Sequence, residues 1–360
     1  MPNTLPTVDV ITVLWKSTAF LPNLFEGLLA TDYPREAWRM HIVDNNPGDG
    51  SLDEVKRLMR LHAGKLPEIV LHEPGKNTGF AGGNNLVIRQ AIAEGRDYVY
   101  LHNHDAQFEA STLREAVAAA QADERIGSVQ SLLVLQQNPQ EINSRGNAVH
   151  YIGFGYCMGY HEDRSKQSLE ICDIAYGSGA STLFSTRVLK EVGLLDETLW
   201  LYHEDLDLGW KILLGGYRNV VAPKSVMRHR YEFSRSIAKW FWMERNRNAV
   251  MFKNYHLGTI LLLLPQIIVA DIGLLLFAIK GGWWREKLRA SAWFFHVSTW
   301  TYIWRGRKEI ARLRRVSDRE ILKHFTATVA YQEFQSPLVS KVMNPLWNIS
   351  FHILRALVIW

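Results

Sequence analysis

Residues 38–54, WRMHIVDNNPGDGSLDE, carry the pattern that decides the fold. Trp38, Met40 and Ile42 alternate with Arg39 and His41 up to Val43, which predicts a strand. Asp44 ends it, and the following NNPGDG concentrates the residues that turn a chain back. Ser51 stands three before Glu54, the spacing of a capping box on the first turn of a helix. The same strand-then-helix unit repeats outward. Val8–Trp15 reads as a buried strand, and Phe20, Leu24 and Leu28 then recur at helical spacing. Ile69–His72 predicts a third strand, followed by the glycine-rich NTGFAGGNN of 77–85 and a helix to Glu94. Tyr98–His102 predicts a fourth, ending on Asn103-His104-Asp105. Strict alternation implies an α/β fold, a mostly parallel sheet with helices on both faces. Ligands of such sheets bind beyond the carboxyl ends of the strands, where Asp44 and Asp105 lie.

Further along, DETLWLYHEDLDLGWKILLGGYRNVVAPKSVMRH spans 196–229 and sets Glu204, Asp205 and Asp207 within four residues. Leu208, Ile212 and Leu213 start a helical pattern there, so the acids occupy a first turn, where free N–H groups and the helix dipole favour carboxylates. Gly215 and Gly216 close the helix. At about 100° per residue, Asp205 and Asp207 point to different sides, and Asp207 is expected to form a surface pair with Lys211. A short strand, Asn219–Ala222, precedes His229, which stands between Arg228 and Arg230. Taken alone, Asp44 and Asp105 read as turn formers and His229 as a solvated histidine.

The chain has 360 residues, 47% of them hydrophobic, enough for a large core and a second unit. Its net charge of +5 is uneven: residues 224–323 hold 20 Lys or Arg against 7 Asp or Glu. Cys157 and Cys172 lack a CxxC or metal-binding spacing and are expected to be reduced thiols in a cytoplasmic setting. No cleaved signal peptide is expected. No Ser-His-Asp or zinc-ligand pattern appears, and without an RRM, KH or zinc signature the basic, aromatic C-terminal part does not read as binding nucleic acid.

Asp44 after a strand, NTGFAGGNN, the Asn103-His104-Asp105 triplet, GSGAS, GLLDE, HEDLDLGWK and a terminal His229, in this order, resemble an inverting family 2 glycosyltransferase of the GT-A fold, close to its rhamnosyltransferase-like branch. The resemblance covers residues 8–230. It departs at Trp15-Lys16, where the family commonly has Tyr-Asn, at Asn103-His104-Asp105 in place of Asn-Pro-Asp, and at Leu194-Leu195 in place of Gly-Phe. It implies that Asp205 is the catalytic base, with Glu204 orienting an acceptor hydroxyl or capping the helix. It also implies that Asp105 and His229 hold a divalent cation, Mg²⁺ or Mn²⁺, and that Asp44, Asn77, Gly79, Asn85, Asn103 and Asp105 receive the nucleotide-diphosphate-sugar donor. Arg228 and Arg230 would hold phosphate oxygens.

The chain is expected to divide into a GT-A domain, 1–234, and a helical, basic and aromatic membrane-associated region, 235–360. Leu257–Ile279 is long enough to cross a bilayer, but Pro265-Gln266 and Asp271 interrupt it. A kinked segment dipping into one leaflet fits this pattern better than a single span, and a buried helical hairpin is the alternative. Trp283, Trp284, Trp293, Trp300 and Trp304 among basic residues suit the headgroup boundary. The expected activity is transfer of a sugar to a lipid-linked saccharide in cell-surface glycan synthesis. It is expected at the cytoplasmic face of the cell membrane, with peripheral or monotopic attachment. Transfer to polyprenyl phosphate, or a silent nucleotide-sugar or membrane-binding module, are the alternatives.

Overall fold

The computed structural model of the chain describes residues 5–231, 238–329, 337 and 339–360. Four parallel strands form the centre of the main sheet: β1 (Val8–Leu14), β2 (Trp38–Asp44), β3 (Glu68–His72) and β4 (Tyr98–His102), in the order β3-β2-β1-β4. β1 is buried along its whole length, as expected of a strand covered on both faces. Beyond β4 the sheet becomes mixed. β11 (Ser181–Ser185) runs antiparallel to β4 and to β6 (Ile126–Leu135), and β12 (Arg218–His229) lies parallel to β6. The edges carry β5 (Ala106–Phe108) and β10 (Cys172–Ile174) on β12, and β7 (Asn138–Ser144) on β6. β8 (Asn147–Val149) and β9 (Gly155–Cys157) form a separate hairpin. Both cysteines are free.

Helices cover both faces. On one, α1 (Leu21–Ala30), α2 (Ser51–Leu61) and α4 (Thr112–Gln121) bury Leu24, Leu28, Val55, Leu58, Leu113 and Val117 against the sheet. On the other, α3 (Gly79–Ala93), α5 (Thr186–Val192) and α6 (Glu204–Leu214) bury Val87, Ile88, Leu189, Leu208 and Ile212. The opposite side of α6, through Trp210, Leu213 and Leu214, packs into a third cluster with α7 (Ala238–Asn254), α8 (Leu257–Gly281) and α12 (Asn344–Leu357). α9 (Trp284–Ala292), α10 (Val297–Leu313) and the short α11 (Asp318–Ile321) complete the C-terminal helices. The expected boundary near 234 falls outside the described residues.

Three local expectations are corrected. Ser51 does not cap α2: Gly50 does, at φ +83, while the Ser51 hydroxyl accepts from the Ser17 N–H and Glu54 turns to Arg57. The strand before His229 is not the short Asn219–Ala222 but all of Arg218–His229, its register shifting between Ala222 and Val226, where Pro223 lies. Asp207 and Lys211 are not on the surface, because α6 is sandwiched between the sheet and the C-terminal helices. Asp207 instead accepts from Lys253 at 2.8 Å and Asn254 at 3.0 Å, and Lys211 lies 3.7 Å away.

α8 runs unbroken through Pro265, whose ring lies on the exposed side. One face of the helix, with Ile260, Leu263, Ile267, Ala270 and Leu274, is buried; the other exposes Leu261, Ile268, Ile272, Leu276 and Ile279. Burial of the inner face holds the helix together across the hydrogen bond that proline cannot donate. Asp271 is paired, with Arg247 at 2.6 Å and Lys287 at 3.1 Å. Among the described residues α8 is the one helix long and apolar enough to cross a membrane. Between the end of α9 at Ala292 and the start of α10 at Val297 the chain makes a 3-10 turn over Trp293–Phe295.

Candidate active site

Asp105 lies three residues past the end of β4, and the antiparallel pairing of Ala106 with His229 fixes the end of β12 beside it. The Arg230 N–H donates to the Asp105 carbonyl at 2.9 Å, closing the same corner. His229 Nε2 stands 3.4 Å from Asp105 Oδ1. The other ring nitrogen, Nδ1, donates to Asn143 Oδ1 at 2.8 Å, so Nε2 of the neutral ring presents its lone pair to the carboxylate. Both facing atoms are buried and without hydrogen-bond partners. Two electron-rich atoms held face to face fit a cation. Among the described residues no group of three or more His, Cys, Asp or Glu side chains converges as a metal site, so the ion's remaining positions would fall to water and substrate.

The acidic helix start is joined to this corner through one turn. Asn103 N–H donates to the Ala180 carbonyl at 3.1 Å, and Gly179 N–H donates to Asp205 Oδ2 at 3.1 Å. Asp205 Oδ1 accepts from its neighbour Leu206 N–H at 2.8 Å. Gly179 has no room for a side chain, since a Cβ would come within 2.8 Å of the Phe80 ring. Burial raises the Asp205 carboxyl above its usual range against those two N–H bonds. Glu204 is more deeply buried, at 4% exposure, and its Oε2 has no partner; burial first and then the Asp205 charge raise it well above the usual range. Asp205 is therefore the one of the two that ionises first.

The loop before α6 is strained. Trp200, Tyr202 and His203 all have positive φ, between 64° and 69°, which non-glycine residues rarely adopt. α7 holds it: the Asn246 amide donates to the carbonyls of Leu199, Leu201 and Tyr202, and Arg245 to that of Thr198. Lys253 anchors the start of the loop through Asp196 at 2.6 Å. Sequence reasoning missed these residues, as it missed Asn143, because nothing local to α7 or β7 signals what they reach.

Asp44 ends β2 buried, one oxygen accepting from the Asn46 N–H at 3.3 Å, and burial raises its carboxyl above the usual range. Asn45, also missed, knots the glycine-rich segment by accepting from Thr78 N–H at 2.7 Å and donating to Asn77 Oδ1 at 3.1 Å. Gly79 has φ +73, and a Cβ there would lie 2.7 Å from Trp200, so the close approach it permits is to the strained loop. Asn85 is buried in α3, its amide donating to the Leu195 carbonyl and to Glu197, a structural tie. Strand alternation turns Arg228 to the side opposite His229, where it pairs with Glu109 at 3.3 Å. Arg230 lies over the Phe20 ring, 5.3 Å from its centre.

The chain is similar to several known proteins. A hexosyltransferase of low-salt glycan biosynthesis, Agl10 of Haloferax volcanii, is 26% identical over 212 residues, which cover 58% of this chain and 62% of that protein. The chain thus spans about three fifths of that relative. GalNAc-T7, solved with UDP, GalNAc and Mn²⁺, superposes with a TM-score of 0.55 at 15% identity over 71% of this chain and 49% of its own. The mannosyltransferase PcManGT from Pyrobaculum calidifontis, solved with GDP-Man and Mn²⁺, superposes with a TM-score of 0.51 at 17% identity over 87% of each chain. These structural likenesses establish the GT-A fold. Residues 9–193 match the sequence pattern of glycosyl transferase family 2, and with half the chain so matched, the protein is a glycosyltransferase that belongs to that family.

Proposed function

We propose that the protein is a metal-assisted inverting hexosyltransferase, taking a sugar from a nucleotide-diphosphate donor to a lipid-linked saccharide at the cytoplasmic face of a membrane. The observation that carries this reading is the single turn, 178–180, that ties Asp205 to the corner where Asp105 and His229 face each other. Asp205 takes the proton from the acceptor hydroxyl as its oxygen attacks the anomeric carbon, and the bond from that carbon to the diphosphate breaks on the opposite side. One displacement inverts the anomeric centre and needs no covalent nucleophile. Asp105 and His229 would hold a Mg²⁺ or Mn²⁺ ion, which supplies positive charge against the departing diphosphate. Asp44 accepts from a base N–H or ribose hydroxyl, and Glu204, holding its proton, orients rather than abstracts. The exposed face of α8 and the nearby basic residues support a membrane-bound acceptor.

The test is a panel of UDP-, dTDP- and GDP-sugars, screened for Mn²⁺-dependent thermal stabilisation and then for transfer to extracted lipid-linked saccharides. The reading predicts one donor class that stabilises only with metal and is consumed only with lipid acceptor present. Donor binding indifferent to EDTA, with no transfer, would instead support a silent binding module.

A further inference from the structure

A cavity of about 250 Å³ opens behind the helix that bears Asp205, between α7, α8 and α12. Its walls include Met243, Ala270, Leu274, Phe277, Met343 and Trp347. Polar side chains enter it from one side only in part: Glu244 and Arg247 are bonded to each other and to Lys287 or Asp271, so their charges are already matched. His203 is different. It lines the same cavity at 9% exposure with Nε2 lacking any hydrogen-bond partner, and it immediately precedes Glu204 and Asp205. At the other boundary, Val269 both lines the cavity and is exposed on α8, next to Ile268 and near Ile272 on the helix's outer apolar face. The cavity therefore connects the segment bearing the base with the surface that the membrane would meet.

Resting on the function proposed above, we infer that this cavity seats the first stretch of the acceptor's hydrocarbon chain, entering along α8 and bringing its polar end to His203. A sugar or nucleotide would leave its hydroxyls and phosphates without partners against these walls, whereas a hydrocarbon chain loses nothing there. At ~30 Å³ for a water-sized group, the volume holds roughly eight methylene-sized units, a chain segment rather than a whole lipid. Gly273 marks the space: it lines the cavity, and a Cβ built on it meets nothing within 4 Å.

The experiment uses the full chain in phosphatidylcholine vesicles with photoreactive farnesyl phosphate as probe, alongside transfer assays on the same saccharide carried by a long polyprenyl or a short alkyl diphosphate. The wild type is expected to be labelled within Ala238–Asn254 and Leu257–Gly281 and to prefer the long-chain acceptor. Gly273→Phe should lower both the labelling and the long-to-short ratio of kcat/KM at least about tenfold by filling the lumen. Val269→Trp, at an exposed position whose change leaves the core intact, should act in the same direction. Labelling elsewhere, or a ratio that neither variant moves while long-chain transfer persists, overturns the chain seat and leaves the proposed function standing. Labelling of the cavity in a wild type that transfers to no lipid-linked saccharide overturns the proposed function and the acceptor seat with it.

Discussion

Glu204 and Asp205 are neighbours with unequal surroundings, and that inequality supports the roles proposed for them. Glu204 is enclosed with an oxygen unpartnered, and burial raises its carboxyl well above the usual range; Asp205, half-buried, is raised too but steadied by the N–H groups of Gly179 and Leu206. Because burial raises the Asp205 carboxyl, the base is lost as pH falls through that raised value. A pH profile of kcat/KM should therefore show an acid limb above the ordinary aspartate value of about 3.9, and a flat profile down to that value would contradict the assignment. At the cation corner, Asn143→Leu removes the acceptor that fixes the His229 ring. It should raise the Mn²⁺ concentration for half-maximal transfer about 10- to 100-fold, measured by metal titration of initial rates. Asp105, Asp205 and His229 stood out through the order of motifs shared with a known family; by local signal alone Asp105 reads as a turn former and His229 as a solvated histidine. Asn143 did not stand out, since its contact crosses 86 positions of chain.

Among the helices, α6 carries the proposed base between two packed surfaces, which is why its third acid, Asp207, is internal. Asp207 answers Lys253 at 2.8 Å and Lys211 at 3.7 Å, all three buried. Removing it leaves the buried Lys211 without its carboxylate and Lys253 with Asp196 alone, so Asp207→Ala should cost about 3–5 kcal/mol of stability, read from denaturant midpoints. A loss under about 1 kcal/mol, the range of an exposed pair, would show the helix to be solvated after all. Helical periodicity located α6 correctly but placed Asp207 and Lys211 outside. An i,i+4 acid–base pair looks the same on a surface as in a sandwich, and only the docking of α7 distinguishes them. The alternating β and α units of the first half, by contrast, were readable, because each needs only neighbouring residues to declare itself. β12 was foreseen too short, its continuation past Pro223 depending on β6 and β5 rather than on its own residues.

For the whole molecule, the helices after 237 do two things. α7 holds the strained loop before the base, through Asn246 and Lys253, while the outer faces of α8 and α12 leave Leu261, Ile272, Leu276, Leu346, Ile353 and Leu357 exposed. Arg319, Lys323 and Arg355 surround a hollow between α11 and α12. Apolar faces beside cations predict binding to vesicles containing anionic phospholipid, weakening as salt rises over a Debye length of about 10 Å at 0.1 M. Sedimentation with vesicles of defined composition checks this, and equal recovery with and without lipid would contradict it. The sequence showed the excess of apolar and basic residues here, but how α8 divides into buried and exposed faces follows only from its partners. Whether Asp205 is the base of a single displacement beside the cation corner is decided by turnover of Asp205→Asn at saturating donor, acceptor and Mn²⁺. We expect kcat to fall by at least about 10² to 10⁴ with metal-dependent donor binding retained. An undiminished kcat would contradict it.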